Sequence, residues 1–367
     1  MNKVSATVQK TLGRLLTKLP NPVVTRLAGS PIVVDGQTMD PLTQFVYRLF
    51  GAAPGHLPTV EEEREQFDVQ GSWFGHNPAP GVSVELFSID GPVGPIPCEM
   101  HKPPGLRPAS APALMYFHGG GHTTGSIASH RALCRQLSVD AECAVIAVDY
   151  RLAPEHTFPV GINDTLAAYD GVIEQSERLG LNPDKIAVGG DSAGGNIAAV
   201  VAQQRKDATH PPCFQALWVP WVDMSAQSRS YELFDLGYVL EKPKMEWYTS
   251  MYLNTPEEGL DPLASPLLGD VSGVCPAAVF VAGFDPLRDE GIAYGEKLKA
   301  AGVEVDSFVF PGLQHIFVNL AGAFPTARSA YADAVAALRR ILLDTSPAPG
   351  APGRVGQRSG KSRSDKR

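Results

Sequence analysis

The sequence predicts an α/β protein built on a mostly parallel sheet with helices on both faces. Three observations carry that expectation. Short, flush apolar runs recur along the chain, lacking the alternation of a half-solvated strand. Segments with helical apolar spacing separate them. A glycine-rich turn, Gly190-Asp191-Ser192-Ala193-Gly194, joins one flush run directly to a helical pattern.

The flush runs cover residues 113–117, 144–148, 185–188, 214–219, 277–281 and 305–310, and the helical patterns 129–140, 163–179, 193–204, 287–301 and 325–343. Continuous apolar strands alternating with helices imply a sheet buried on both sides. Upstream, residues 82–89 alternate, Asp90-Gly91 signals a turn, and 96–101 reads as the partner strand. The first 80 or so residues read as a separate helical unit. In it Val4, Val8, Leu12, Leu15, Leu16 and Leu19 form an apolar stripe between basic residues, and a second helix is predicted from Asp40-Pro41 through Phe45, Leu49 and Phe50. The stripe suits a helix packed on the body; the competing reading is peripheral membrane contact. Residues 224–268 hold Tyr231, Phe234, Tyr238, Trp247, Tyr248 and Tyr252 without strand rhythm, and read as a helical insertion near the mouth of a site. Residues 346–367 carry six Lys/Arg against one Asp and little apolar surface, the composition of a disordered basic tail.

Composition narrows the function classes. The 367 residues include 36 Gly and 32 Pro, many tight turns but no collagen-like period. An apolar share of 44% and a charged share of 19% fit a globular chain long enough to bury a full core. The net charge of −8 argues against a general nucleic-acid binder. No run reaches the ~18 apolar residues of a membrane-spanning helix. Lys3, Lys10, Arg14 and Lys18 interrupt the N-terminus, which does not read as a secretory signal. Five cysteines, odd in number and without a C-x-x-C, are expected to be reduced. The predicted compartment is cytoplasmic. A homodimer stays open.

The chemistry concentrates in four places. Gly190-Asp-Ser-Ala-Gly194 is a G-x-S-x-G sequence in a strand–turn–helix setting, which exposes Ser192 as a nucleophile and puts the Ala193 N–H at a helix N-terminus. His118-Gly119-Gly120-Gly121 follows a strand, and three successive glycines let backbone N–H groups approach a developing anion. Gly120 and Gly121 are the expected donors, with Gly119 shaping the loop. In this class the acid and then the base follow the nucleophile. Of the nine histidines only His210 and His315 come after Ser192, and His315 is favoured because it follows a strand end. Asp285, straight off the 277–281 run, is the favoured acid; Asp289 and Asp306 are the alternatives. A metal pair at His118 and His122 finds no third ligand by spacing, and neither glycine cluster fits a dinucleotide loop.

Taken together, His118-Gly-Gly-Gly121, Asp149-Tyr-Arg-Leu-Ala-Pro-Glu-His156, Gly190-Asp-Ser-Ala-Gly-Gly195, Asp285-Pro-Leu and His315 occur in the order of the hormone-sensitive lipase family of α/β-hydrolases, and over residues 80–345 the chain resembles its bacterial-type carboxylesterases. The resemblance implies an α/β-hydrolase fold, with an eight-stranded sheet under a helical cap made of residues 1–80 and 224–268 on a catalytic unit at 81–345. It also implies hydrolysis of short- to medium-chain acyl esters, a small-molecule substrate, with no cofactor and no metal. Ser192 would be nucleophile, Asp285 acid and His315 base, with Gly119, Gly120, Gly121 and Ala193 forming the oxyanion hole. Arg131, where an acidic residue is common, and Ile316-Phe317 after the histidine depart from the pattern. Rival readings are a deacetylase or amidase on the same triad, a lipase acting at a lipid surface, and a catalytically silent receptor.

Overall fold

The computed structural model describes residues 14–343 apart from 52, 72–74, 78, 108 and 109. The stripe residues Val4, Val8 and Leu12 and the basic tail lie outside the described residues. Strands β3 (Ser83–Gly91) and β4 (Gly94–Lys102) form the antiparallel hairpin expected around Asp90-Gly91, and β4 pairs antiparallel with β6 (Ala144–Val148). The remaining neighbours are parallel: β5 (Ala111–Phe117), β7 (Leu181–Asp191), β8 (Gln215–Trp218), β9 (Ala277–Phe284) and β10 (Val305–Gln314). Their order across the eight-stranded sheet is β10-β9-β8-β7-β5-β6-β4-β3.

The flush apolar runs now have their physical reason. Successive strand residues point to opposite faces, and both faces are buried. Ala113, Met115 and Phe117 of β5 join one core, with residues of α5 (Val160–Glu174), α7 (Ala193–Gln204) and α10 (Arg288–Ala300). Leu114 and Tyr116 join the other, with α4 (Ile127–Asp140) and α12 (Pro325–Leu342). A strand in that position is apolar at nearly every residue.

Several boundaries differ from the sequence-based expectation. β7 starts at Leu181, because Ala111 pairs with Leu181 across a register shift and recruits polar Asn182 and Asp184 into the strand. β10 runs on through Pro311-Gly312, expected as a turn; pairing breaks between Phe310 and Gln314, and an edge strand tolerates a residue without an N–H. The helix expected over 163–179 is two, α5 and a short α6 (Ser176–Leu179), closed by Gly180 in the left-handed conformation.

The N-terminal part holds α1 (Asn21–Ala28), a two-stranded ribbon of β1 (Val33–Val34) and β2 (Gln37–Thr38), α2 (Pro41–Phe50) and α3 (Val60–Gly71). Helix α2 begins as predicted, with the Asp40 carboxylate accepting the Thr43 N–H at 2.9 Å. Helix α3 has no apolar stripe to announce it. Its first turn carries Glu61, Glu62 and Glu63, favourable at the positive end of a helix dipole. Residues 224–268 contain α8 (Arg229–Leu233), α9 (Lys242–Tyr252) and two short 3₁₀ turns, and no strand. A helix long and apolar enough to cross a membrane is absent among the described residues. All five cysteines are free thiols.

Candidate active site

β7 delivers the chain to Ser192, whose φ of 58° and ψ of −119° lie where a side chain is strained by about 1–3 kcal/mol. The surroundings hold it there. The Ser192 N–H donates to the Trp218 carbonyl at 2.8 Å, and the Ser192 carbonyl accepts from the Asn196 N–H at 3.0 Å and the Trp221 N–H at 3.2 Å. A Cβ on Gly190 or Gly194 would overlap the Phe117 carbonyl at the end of β5, so the turn approaches the neighbouring strand too closely for any side chain there. Ser192 keeps 9% of its surface exposed at the end of the buried elbow.

The triple-glycine loop faces that elbow. Its turn is fixed internally by the Thr123 and Thr124 N–H groups, which both donate to the Gly120 carbonyl. Tyr150 donates its hydroxyl to the His118 carbonyl at 2.6 Å, and the Ala153 N–H donates to the His122 carbonyl at 2.8 Å, so the segment after β6 supports the loop. The Gly119 N–H is taken up by the Asp191 carboxylate at 3.2 Å. Gly119 therefore shapes the loop, and its N–H is not open for a substrate oxygen. The N–H groups of Gly120, Gly121 and Ala193 have no protein acceptor among the described residues.

Asp285 follows β9 and is completely buried. Its Oδ1 accepts the Leu287 N–H at 2.9 Å and its Oδ2 meets His315 Nδ1 at 2.8 Å. His315 follows β10. Because β7, β9 and β10 run parallel, Ser192, Asp285 and His315 all leave the carboxyl end of the same sheet, with β8 between the first two strands. The alternatives are occupied elsewhere. Asp289 accepts from the Ser230 N–H and Arg288 Nε, Asp306 pairs with Arg340, and His210 meets Asp184 at 2.7 Å near the surface.

Sequence reasoning missed the role of Asp191. Its carboxylate collects the Tyr116 hydroxyl at 2.6 Å, the Gly119 N–H, His130 Nε2 at 3.2 Å and Asn319 Nδ2 at 3.4 Å. It thereby ties the elbow to the glycine loop and to α11 (Phe317–Leu320), just beyond His315. Burial works to raise its pKa, but the charge and hydrogen bond of His130, with help from Tyr116 and His118, hold the carboxyl below the usual range. The middle position of G-x-S-x-G carries no pattern that would have singled it out. Two loop histidines are neutral at pH 7: burial lowers His118 to about 4 and His122 to about 3, in each case aided by a neighbouring histidine. Arg131 is explained by Glu99 on β4, which it grips through two bonds of 2.7 Å. Groups of three side chains able to hold a metal ion are absent among the described residues.

A family model described as the alpha/beta hydrolase fold matches residues 114–319, the span from β5 to α11 that carries every residue of this site. The chain belongs to the α/β-hydrolase family. Among the relatives of this α/β-hydrolase, the carboxylic ester hydrolase LipN of Mycobacterium tuberculosis is 38% identical over 343 residues, 87% of each chain. An ethyl acetate hydrolase of Pseudomonas putida is 37% identical over 79% of this chain and 92% of its own. Among solved structures, a hyperthermophilic esterase from Pyrobaculum calidifontis superposes with a TM-score of 0.73 at 35% identity, covering 78% of this chain and 92% of that one. The likeness to carboxylesterases of the hormone-sensitive lipase branch therefore extends over most of the hydrolase, 78–87% of the chain.

Proposed function

We propose that the chain is a carboxylic ester hydrolase that works through an acyl-enzyme on Ser192. The observation that carries the reading is the 2.8 Å bond from His315 Nδ1 to the buried Asp285 carboxylate at the sheet end where Ser192 stands on its elbow. With Nδ1–H donated to Asp285, the His315 Nε2 lone pair is free to accept the Ser192 proton. Ser192 Oγ attacks the ester carbonyl, and the carbonyl oxygen takes the negative charge, received by the N–H groups of Gly120, Gly121 and Ala193. Collapse breaks the acyl–oxygen bond, and the alcohol leaves with the proton held by His315. Water repeats the sequence on the acyl-enzyme, giving the acid and free Ser192. Asp285 orients His315 and stabilises the imidazolium. No step requires a cofactor.

The substrate class is small esters with short to medium acyl chains, a reading supported by the relative named as an ethyl acetate hydrolase, and the compartment is cytoplasmic. The described residues of the 1–80 segment, together with residues 224–268, form the cap over the catalytic unit assigned to residues 81–345. A chain-length series of p-nitrophenyl esters with the wild type and Ser192→Ala tests the reading. The variant is expected to lose nearly all turnover and the wild type to favour the shorter acyl chains. Near-normal turnover by the variant would remove Ser192 as nucleophile.

A further inference from the structure

A loop with glycine at 119, 120, 121 and 125 has only its one internal turn at Gly120 to stiffen it, yet an oxyanion hole is useful only if its donors are fixed before the charge develops. The inner side of the loop is held by Asp191 and Tyr150. Its outer side is held by α3, a helix from the N-terminal part of the chain. Arg64 donates Nε to the Thr123 carbonyl at 2.9 Å and Nη2 to the Ala153 carbonyl at 2.9 Å, and its guanidinium forks onto Glu155 at 2.8 and 2.7 Å. Phe67 stacks on His130, the partner of Asp191, with centroids 6.0 Å apart. Asp68 accepts the hydroxyl of Ser126, the residue that caps α4 directly after the loop, at 2.7 Å. Positions 64, 67 and 68 are i, i+3 and i+4, one face of a helix. The adjacent Glu63 reaches the other way. It binds Lys244 Nζ at 2.7 Å and the Tyr248 hydroxyl at 3.1 Å on α9, and the Tyr248 ring lies where a Cβ on Gly121 would be.

We propose that α3 is a brace for the oxyanion loop and that Arg64 is its main positioning residue. Arg64 touches no reacting atom; it acts by fixing the backbone that carries the Gly120 and Gly121 N–H groups. Glu63 holds the aromatic ring that closes the same loop from above. The inference rests on the reading of that loop as an oxyanion hole.

The test compares wild type with Arg64→Ala, Arg64→Lys and Asp68→Asn, using hydrogen exchange across residues 118–126 and p-nitrophenyl butyrate kinetics. Arg205→Ala, which removes a forked surface pair with Asp170, serves as control. Arg64→Ala should speed exchange in the loop at least about tenfold and leave residues 193–204 unchanged. It should lower kcat about ten- to hundredfold with KM nearly constant, since a misplacement near 1 Å costs up to about a hundredfold. Arg64→Lys should recover only part of this, because one ammonium does not serve two carbonyls and a carboxylate together. Asp68→Asn, milder, should give the same pattern at smaller size. Unchanged loop exchange in a folded Arg64→Ala or Asp68→Asn variant overturns the brace, as does a kcat loss no larger than that of the control. A wild type without ester turnover would instead sink the hydrolase reading, while loop exchange would still decide the brace.

Discussion

Replacing Gly119 by Ala tests whether the glycine loop and the elbow form one fitted unit. Gly119 does not occupy the left-handed backbone region, so alanine meets no conformational penalty and only space is at issue. A Cβ there would lie 2.6 Å from Asp191 Oδ2, 2.8 Å from its backbone oxygen and 3.1 Å from its Cγ, where ordinary contact begins near 3.4 Å. Something must retreat by about 0.6–0.8 Å. Asp191 resists, because Tyr116, His130 and Asn319 hold its carboxylate and its backbone is the last residue of β7. The loop therefore moves, taking the Gly120 and Gly121 N–H groups with it. A displacement approaching 1 Å is worth up to about a hundredfold in rate, or about 2.7 kcal/mol of transition-state stabilisation. The assay is kcat and KM on p-nitrophenyl butyrate alongside circular dichroism and a thermal melt. The expected result is a folded variant with kcat down about a hundredfold and KM little changed. A folded variant retaining kcat within about threefold of wild type would refute the reasoning.

Asp285→Asn keeps the shape of the acid but removes the charge that fixes the His315 tautomer; kcat should fall on the order of 10⁴-fold, and a loss below about tenfold would show that another carboxylate serves His315. Acid should weaken the fold through the two loop histidines. The folded-state pKa values of His118 and His122, about 4 and about 3, lie below the unfolded value near 6.5. The unfolded chain therefore binds protons that the folded chain refuses. Stability is full above about pH 6.5 and falls as the pH drops toward the folded values, by about 1.4 kcal/mol per pH unit for each histidine. Urea midpoints between pH 7.5 and 4.5 measure the slope. His122→Asn, which tolerates the local φ of 57°, should flatten it, and an unchanged slope would contradict the assignment.

What the sequence determined by itself is the part written in local periodicity and local geometry. A strand buried on both faces is apolar at nearly every position, which made β5, β6, β8 and β9 readable. A turn that brushes the next strand must have glycine on either side of its serine, which made 190–194 readable. The order of elements then left only Asp285 and His315 well placed at later strand ends. The rest depends on contacts between residues far apart in the chain, which leave no period. Asp191 gathers donors from Tyr116, Gly119, His130 and Asn319, and nothing near position 191 announces it. Helix α3, polar nearly throughout, has its working face set by a loop some sixty residues away. The polar start of β7 is a strand because Ala111 pairs with Leu181 across the register shift. Charges and hydrogen-bonding groups acquire meaning from the partner they meet, and the fold chooses the partner.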